Sequence, residues 1–291
     1  EGNFTIETGT GVLSFATAPN FEANGSAAGN NTYVVEVTVA DNADGNRTDA
    51  QTFIVSVQDE NEAPEITSLD GNETSTVVLN ENLTAVTTFT ATDQDAGDTL
   101  TYSLSGTDQA LFEVDASTGA LTFTSAPDFE TPTDVGAGNT YVVIVTATDD
   151  GDGSRTDSQT LTVVVENENE APVITSDGGL SAVNLEISEN FTDVTTVVAT
   201  DVDDPSNFTY SISGGADQAK FAIDTDTGEL TFVDSPDYED PTDSGADNSY
   251  EVEVTVTDDG AGLLSDHQMI MVNVQDANEA PVITSDGGLS A

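Results

Sequence analysis

Three acidic hexapeptides contain side chains that could bind a metal ion. Linker 1 (59–64) is Asp-Glu-Asn-Glu-Ala-Pro, linker 2 (167–172) is Asn-Glu-Asn-Glu-Ala-Pro and linker 3 (276–281) is Asp-Ala-Asn-Glu-Ala-Pro. Each follows a segment of alternating apolar residues, offers several carboxylate and amide oxygens, and ends in proline. Calcium takes about six to eight oxygen ligands. We therefore interpret the linkers as joints between domains that a divalent cation makes stiffer, and calcium is the expected ion.

The charge balance of the chain is extremely acidic. The 291 residues include 55 Asp and Glu against 3 Lys and Arg, for a formal net charge of −52. Repulsion among so many carboxylates opposes compaction of the chain unless cations neutralise part of the negative charge. Nucleic-acid binding needs clustered basic residues and is excluded, and docking on anionic lipid is disfavoured for the same reason. A halophilic or marine surface has the same composition, so composition alone does not separate that interpretation from calcium binding.

Other kinds of chemistry have little support in the sequence, and we expect no enzyme. There is no cysteine and His267 is the only histidine, so neither a zinc site nor a catalytic triad can be built. Carboxylate pairs are too frequent for counting to exclude a glycosidase, although the absence of tryptophan argues against sugar cleavage. Residues 149–153 lack the helix-flanked spacing of a calcium loop and are interpreted as a polar turn. Sequons such as Asn82-Leu83-Thr84 leave glycosylation open.

The linkers belong to an internal repeat. Their prolines, Pro64, Pro172 and Pro281, are 108 and 109 residues apart, and Pro19, Pro127 and Pro236 have the same two spacings. This period matches one autonomous domain. We predict the second half of a repeat at 1–61, complete repeats at 62–169 and 170–278, and the start of a further repeat at 279–291. Half a repeat has little core of its own, so we expect the chain to be part of a longer array or a subunit completed by a neighbour.

Strand patterns run through every repeat. Tyr141, Val143 and Val145 alternate with outward-facing residues, the period of a half-buried strand, and Tyr33 and Tyr250 open the equivalent segments. Many short strands separated by Gly, Asn and Asp turns predict an all-β fold of tandem β-sandwiches. We find neither an amphipathic helix nor an apolar run long enough to span a membrane.

Several motifs occur together in the order that one known family has. Tyr102-Ser103-Leu104, Phe112-Glu113-Val114-Asp115 and Thr118-Gly119-Ala120-Leu121 lie between acids that recur in register from repeat to repeat. With these motifs the chain resembles tandem cadherin repeats of large bacterial-type surface proteins. The resemblance implies Greek-key, immunoglobulin-like β-sandwiches in a linear array, with calcium bound between consecutive domains by oxygens of both domains and of the linker.

The resemblance also implies the ligands at each linker. At linker 2 they are Glu81, Asp128, Glu130, Asn167, Glu168, Asn169, Glu170, Asp201, Asp203 and Asp258, with Glu168 contributing a main-chain carbonyl. At linker 1 they are Glu22, Asp59, Glu60, Asn61, Glu62, Asp93, Asp95 and Asp149. At linker 3 they are Glu189, Asp237, Glu239, Asp276, Asn278 and Glu279, an incomplete set because no following domain is present in the sequence.

Two departures from the family pattern affect the expected binding. The linkers are one residue shorter than the animal-type pattern, which leaves the number of ions per linker open. Asn20 and Asn167 replace aspartates, which removes a charge but keeps an oxygen, so we expect weaker binding there.

We predict a calcium-rigidified, extracellular spacer of a cell-surface adhesin or fibre. Its expected partners are other repeats of the same protein, neighbouring copies in a fibre, and a glycan or cell-surface ligand bound through a domain outside this chain. Nucleic acid and membrane insertion are not expected. Two alternatives stay open: a self-assembling fibre subunit whose first half-repeat is completed by residues 281–291 of a neighbour, and a calcium-dependent carbohydrate-binding module.

Overall fold

The computed structural model describes residues 2–42, 45, 47–203 and 207–281 of the chain. The chain divides into two compact units, unit 1 (Glu1–Glu166) and unit 2 (Asn167–Ala291). Linker 1 lies within unit 1, and linkers 2 and 3 lie within unit 2. Of the predicted further repeat at 279–291, residues 282–291 lie outside the described residues.

The described residues form an all-β fold, as the alternating pattern predicts. In unit 1 the strands are β1 (Phe4–Ile6), β2 (Leu13–Phe15), β3 (Thr32–Ala40), β4 (Thr48–Ser56), β5 (Glu65–Ile66), β6 (Thr74–Asn80), β7 (Ala85–Thr88), β8 (Ala91–Thr92), β9 (Thr101–Ser105), β10 (Phe112–Val114), β11 (Ala120–Phe123), β12 (Thr140–Thr148) and β13 (Thr156–Glu166). In unit 2 they are β14 (Val173–Ile174), β15 (Ala182–Ser188), β16 (Asp193–Thr196), β17 (Ala199–Thr200), β18 (Thr209–Gly214), β19 (Phe221–Ile223), β20 (Glu229–Phe232), β21 (Ser249–Thr257) and β22 (Ser265–Gln275). Helical structure in the described residues is limited to 3₁₀ turns at Ser68–Gly71, Gln109–Leu111, Ser176–Gly178 and Gln218–Lys220.

The complete repeat of unit 1 is a β-sandwich. One sheet has the strand order β6-β13-β12-β9 and the other β10-β11-β7, with the short pair β5-β8 beside them. β6 pairs parallel to β13, while the other pairs are antiparallel. Unit 2 repeats the arrangement as β15-β22-β21-β18, β16-β20-β19 and β14-β17. Because side chains of both sheets share one buried core in each unit, each complete repeat folds as a sandwich.

An aromatic triad recurs in residues 1–61 and in both complete repeats. In the complete repeat of unit 1, the rings of Phe112 and Phe123 stack at 4.4 Å, and Tyr141 contacts Phe123 edge-on at 5.1 Å. The equivalent rings of unit 2 and of residues 1–61 have nearly the same geometry. Edge-to-face and offset contacts add to the burial of apolar surface. The sequence repeat is therefore also a repeat of core packing.

Residues 1–61 contain only part of this sandwich. Among the described residues, β3 and β4 form a two-stranded sheet, without counterparts of β6 and β9 beside it. Val39 is 66% exposed, whereas Ala147, its equivalent in the complete repeat, is fully buried. The missing neighbouring strands explain this exposure, since those strands extend the sheet in the complete repeats.

The strand directions place acidic residues at both ends of a sandwich. The start of β9 pairs with the end of β12, so the loop before β9 and the loop after β12 lie at one end. Asp93 and Asp95 lie in the first loop, and Asp149 begins the second. Glu81 follows β6, which ends beside the end of β13, at the opposite end of the antiparallel β12–β13 pair. The topology therefore groups acids that are far apart in sequence.

Candidate metal centre

Carboxylates from three parts of unit 1 converge at linker 1. Glu22 lies in the loop before β3, Glu62 in the linker and Asp95 in the loop before β9, and an oxygen of each lies within 4.8 Å of the others. Asp95 also belongs to a second group with Asp93 and Asp98, within the same distance limit. One carboxylate thus joins two adjacent acidic groups. Glu22, Glu62, Asp93 and Asp95 were predicted as ligands from the sequence.

Hydrogen bonds fix the linker against the repeat that follows it. The main-chain N–H of Glu62 donates to Oδ2 of Asp95 at 2.8 Å, and Nδ2 of Asn61 donates to both carboxylate oxygens of Asp149 at 3.3 Å. Asp149 is only 3% exposed and also accepts main-chain hydrogen bonds from Gly151 and Arg155. The linker is therefore held in place by side chains from the loops before β9 and after β12.

Three oxygens in this region are buried without a partner. Among the described residues, Oε2 of Glu62, Oδ2 of Asp93 and Oδ2 of Asp98 are inaccessible to solvent and accept no hydrogen bond. A buried polar atom without a partner costs free energy, and a charged one costs more. Several hard oxygen donors facing one space are what calcium requires, and no sulfur or imidazole is needed. The donor set of linker 1 therefore fits a calcium ion.

The carboxylates at linker 1 also perturb one another. Burial raises the pKa of Glu62, and repulsion by Glu22, Asp95 and Asp59 raises it further, while Arg155 opposes the shift. Burial likewise raises the pKa of Asp98, with repulsion from Asp95 and other acids adding to it. Raised carboxylate pKa values mean that the charged forms lack compensating positive charge. A cation at this position would provide it.

Linker 2 has the same internal geometry within unit 2. The main-chain N–H of Glu170 donates to Oδ2 of Asp203 at 2.7 Å, and Nδ2 of Asn169 donates to Asp258 at 3.0 Å. Asn167, which stands where linkers 1 and 3 have aspartate, donates to Oδ1 of Asp203 at 2.8 Å. Asp258 is 4% exposed. The replacement of aspartate by asparagine thus exchanges a repulsion for a hydrogen bond.

A further buried oxygen without a partner lies beside linker 2. Oδ2 of Asp201 accepts no hydrogen bond among the described residues. Oδ1 of the same carboxylate accepts the main-chain N–H of Asp203. Asp93 is the equivalent residue of unit 1. Its Oδ1 accepts the main-chain N–H of Asp95, and its Oδ2 accepts no hydrogen bond among the described residues. The recurrence in both units indicates a built feature of the Asp-x-Asp loop.

The opposite end of each complete repeat contains a buried glutamate. Glu81 is 2% exposed, accepts the main-chain N–H of Phe129 at 2.8 Å, and has an oxygen within 4.8 Å of one of Glu130. Glu189 is 1% exposed and accepts the main-chain N–H groups of Tyr238 and Ala277. These bonds lower the pKa of Glu189. Main-chain hydrogen bonds thus hold both buried glutamates at the end of a sandwich.

Four acids meet at linker 3. Glu189, Glu239, Asp276 and Glu279 each offer an oxygen within 4.8 Å of the others. Burial raises the pKa of Glu279, and its contact with Glu189 raises it further. All four were predicted from the sequence.

Some predicted ligands also have a local role in turns. Oδ1 of Asp128 accepts the N–H of Thr131, and Oδ1 of Asp237 accepts those of Glu239 and Asp240, so both carboxylates cap a turn. Hydrogen bonds from Thr131 lower the pKa of Asp128. Neither aspartate belongs to the acidic groups of the described residues, and the exposed side chains of Asp59 and Glu60 do not either.

Sequence reasoning missed Asp98, Gly151 and Gly260. Asp98 joins Asp93 and Asp95, a grouping that the spacing Asp-x-Asp-x-x-Asp could have indicated. A Cβ built on Gly151 would overlap Oδ1 of Asn61, and one on Gly260 would overlap Oδ1 of Asn169. The turn at 149–153, predicted as a polar turn, is confirmed. Its glycine provides the space into which the linker asparagine packs.

Comparisons with known proteins agree with this architecture. Residues 75–166 and 183–275 match the family model described as the cadherin domain. Mouse protocadherin-16 is 29% identical over 97% of this chain, and human protocadherin alpha-1 is 35% identical over 33% of it. The chain covers 8% and 10% of those two proteins, respectively, so it spans about a tenth of their length.

Solved structures agree on the fold. The crystal structure of human CDH23 EC21-23 matches with a TM-score of 0.57 at 21% identity, over 94% of this chain and 81% of that one. The protocadherin gammaB7 EC3-6 cis-dimer structure matches with a TM-score of 0.54 at 20% identity, over 94% and 65%. Within the described residues, no helix has the length and apolarity to cross a membrane.

Proposed function

Because the chain belongs to the cadherin family, we propose that it is a calcium-stiffened spacer of an extracellular adhesion protein, with calcium bound at its linkers. One observation carries the proposal: at linker 1, carboxylates from before, within and after the linker converge, and three of the oxygens nearby are buried without a partner. A site of that composition ties the linker to the segments on both sides of it.

At linker 1 the proposed ligands are Glu22, Glu62, Asp93, Asp95 and Asp149, with the amide oxygen of Asn61. A bound calcium ion would supply positive charge to carboxylates that otherwise repel one another. Glu62 and Asp95 are already aligned by a hydrogen bond between the linker amide and the carboxylate. The ligands that unit 2 carries at linker 2, Asn167, Asn169, Glu170, Asp201, Asp203 and Asp258, have the same arrangement and support the same role.

The mechanism is linkage between ion binding and alignment of the linker. Glu22 and Asp95 can share an ion only while the segments around linker 1 keep the geometry that brings them together. Binding therefore stabilises that geometry over bent ones by RT ln(1 + [Ca²⁺]/Kd), which is about 1.4 kcal/mol at ten times Kd. Extracellular calcium modules have Kd values of roughly 10⁻⁴–10⁻³ M, so an external calcium supply is needed.

The role is mechanical rather than catalytic: the repeats hold other domains, or neighbouring subunits, at fixed spacing. We keep the domain boundaries 1–61, 62–169, 170–278 and 279–291 as part of this proposal, supported by the recurring aromatic triads.

A large bacterial-type surface adhesin as the parent protein is also part of the proposal, supported by the acidic composition. The relatives named above, in contrast, are animal proteins. Glycan binding belongs to domains outside this chain.

The fibre-subunit alternative has less support. Residues 281–291 have the sequence of 172–182, and in unit 2 those positions contain β14 and only the first residue of β15. β15 is the strand that pairs with β22. A donated 281–291 segment would therefore supply a two-residue strand and leave the main edge of β4 uncovered.

Small-angle X-ray scattering of the full chain in calcium and in chelator tests the spacer proposal. We expect a longer maximum dimension and a less flexible scattering profile in calcium, with magnesium at the same concentration as control. Identical profiles in calcium and chelator would contradict the proposal. Calcium-induced polymers would favour the fibre alternative, and calcium-dependent retention on a glycan array would favour the carbohydrate-binding one.

A further inference from the structure

Asp98 is a carboxylate that sequence reasoning does not assign to any site. It lies in the loop between β8 and β9, and its oxygens come within 4.8 Å of those of Asp93 and Asp95. Asp95 also belongs to the group with Glu22 and Glu62. Asp98 is thus connected to the linker 1 site through a carboxylate that the two groups share.

The surroundings of Asp98 differ from those of a carboxylate that stabilises the fold. Asp108, which is 4% exposed, accepts main-chain hydrogen bonds from Val135 and Val142 with its two oxygens. Oδ2 of Asp98 is also buried, yet it accepts no hydrogen bond among the described residues. A buried carboxylate oxygen that faces other carboxylates destabilises the ion-free chain. A bound cation that compensates the negative charge of Asp98 would explain why this carboxylate is there.

Gly151 leaves the space that Asp98 occupies. A Cβ built on Gly151 would lie 2.6 Å from Oδ2 of Asp98 and would overlap Asn61. The side chains of Asp98 and Asn61 therefore approach the same glycine from the loop before β9 and from linker 1. This places Asp98 beside a residue of the linker itself.

The equivalent position of the next repeat has no carboxylate. Asp93 and Asp95 correspond to Asp201 and Asp203, and the same offset of 108 residues takes Asp98 to Ser206. We infer that Asp98 is an additional calcium ligand of linker 1, at a position where the next repeat has Ser206. The inference rests on the proposed function. Calcium sites tune their affinity through the number of charged ligands, so removal of the Asp98 charge should weaken calcium binding at linker 1.

Calcium titration of the ¹⁵N-labelled full chain tests the inference by NMR. The main-chain amides of Glu62 and Gly151 report on linker 1, and those of Glu170 and Gly260 report on linker 2. In the wild type we expect the amides of both linkers to respond to calcium. D98N should raise the midpoint of the linker 1 amides roughly tenfold and leave that of the linker 2 amides within about twofold.

D152N is the matched control, because Asp152 is exposed and carries the same charge as Asp98. It lies in the 149–153 turn, which also contains Gly151. If D98N and D152N shift the linker 1 midpoint equally, Asp98 acts only through general charge and the inference is wrong. If the wild-type amides respond but D98N changes nothing, the inference also fails while calcium binding stands. If no wild-type amide responds to calcium, the proposed function itself fails. Amide spectra of calcium-free D98N establish that the variant is folded.

Discussion

The main-chain amide of Glu62 donates a 2.8 Å hydrogen bond to Oδ2 of Asp95, and this bond connects linker 1 to the repeat that follows it. The same bond recurs at 2.7 Å between Glu170 and Asp203. Each pair lies inside one unit, so the linker is attached to the following repeat before any ion binds. Under the proposed function, a calcium ion would then have only to add the preceding segment, represented at linker 1 by Glu22.

The first prediction concerns Asp95, which both acidic groups of linker 1 share. Asp95→Asn keeps an oxygen to accept the Glu62 amide but removes a charged ligand. We expect about tenfold weaker calcium binding at linker 1, equivalent to about 1.4 kcal/mol. Without calcium the variant should be at least as stable as the wild type, because a repulsive charge is gone. Differential scanning calorimetry of the full chain in calcium and in chelator measures both effects.

Asp70→Asn is a suitable control for that experiment, since Asp70 is exposed and belongs to none of the acidic groups of the described residues. It should leave the calcium-dependent rise in unfolding temperature unchanged. A loss of stability of Asp95→Asn in chelator as large as that in calcium would mean that Asp95 acts through the fold and not through an ion.

The second prediction concerns Gly151, whose missing side chain makes room for Asn61. Gly151→Ala should displace Asn61 and Asp98, because a Cβ at 151 would lie only 2.6 Å from Oδ2 of Asp98. We expect weaker calcium binding with little change in the core, measured by isothermal titration calorimetry. The nearest atom to a Cβ on Gly138 would be 4.0 Å away, so Gly138→Ala serves as the control. Equal calcium affinities of the two variants would contradict the prediction.

The all-β fold was predictable because the signal is local. β12 and β21 alternate buried and partly buried residues along their length, and this period can be recognised in the sequence alone. The two-residue strands β5 and β14 were not predictable, since their pairing depends on partners about 25 residues away. The parallel pairing of β6 with β13 also follows from the tertiary fold and not from either segment.

The candidate site was predictable where acids recur in register. Glu62, Asp95 and Asp149 have equivalents in the next repeat, and the structure brings them to linker 1. Asp98 has no acidic equivalent, so register alone could not identify it. Asp128 illustrates the opposite limit: register identified the residue, but only the structure reveals that one of its oxygens caps a turn. The ligand roles of all these residues stay predictions.

The third prediction concerns acid stability and does not involve the linkers. Oδ1 of Asp115 accepts the main-chain N–H groups of Ser117 and Thr118, and Asp224 makes the same bonds in unit 2. Hydrogen bonds from Thr118 and Ser117 lower the pKa of Asp115 below its ordinary value of 3.8, and those from Thr227 and Asp226 lower that of Asp224. The resulting stability is present above pH 3.8 and is lost as the pH falls through the lowered folded-state pKa.

The double variant D115N/D224N should therefore lose less stability than the wild type when the pH is lowered below 3.8. Asparagine keeps an oxygen for the turn but does not titrate there. Urea unfolding of the calcium-free chain at a series of pH values measures the difference. Parallel pH profiles of the two proteins would show that these aspartates do not contribute, and D70N/D152N controls for the change in net charge.

The fourth prediction compares one core position in two repeats. Leu161 is fully buried in the complete repeat of unit 1, whereas Phe53, its equivalent in residues 1–61, is 39% exposed. Leu161→Ala leaves a cavity and should lower the opening free energy of the β12 amides by about 3 kcal/mol. Phe53→Ala should lower that of the β3 amides by less than half as much, because its neighbouring strands are missing. Amide hydrogen exchange of the full chain measures both, with the β21 amides of unit 2 as internal reference. Equal losses in β3 and β12 would mean that the partial repeat has a core as well packed as the complete one.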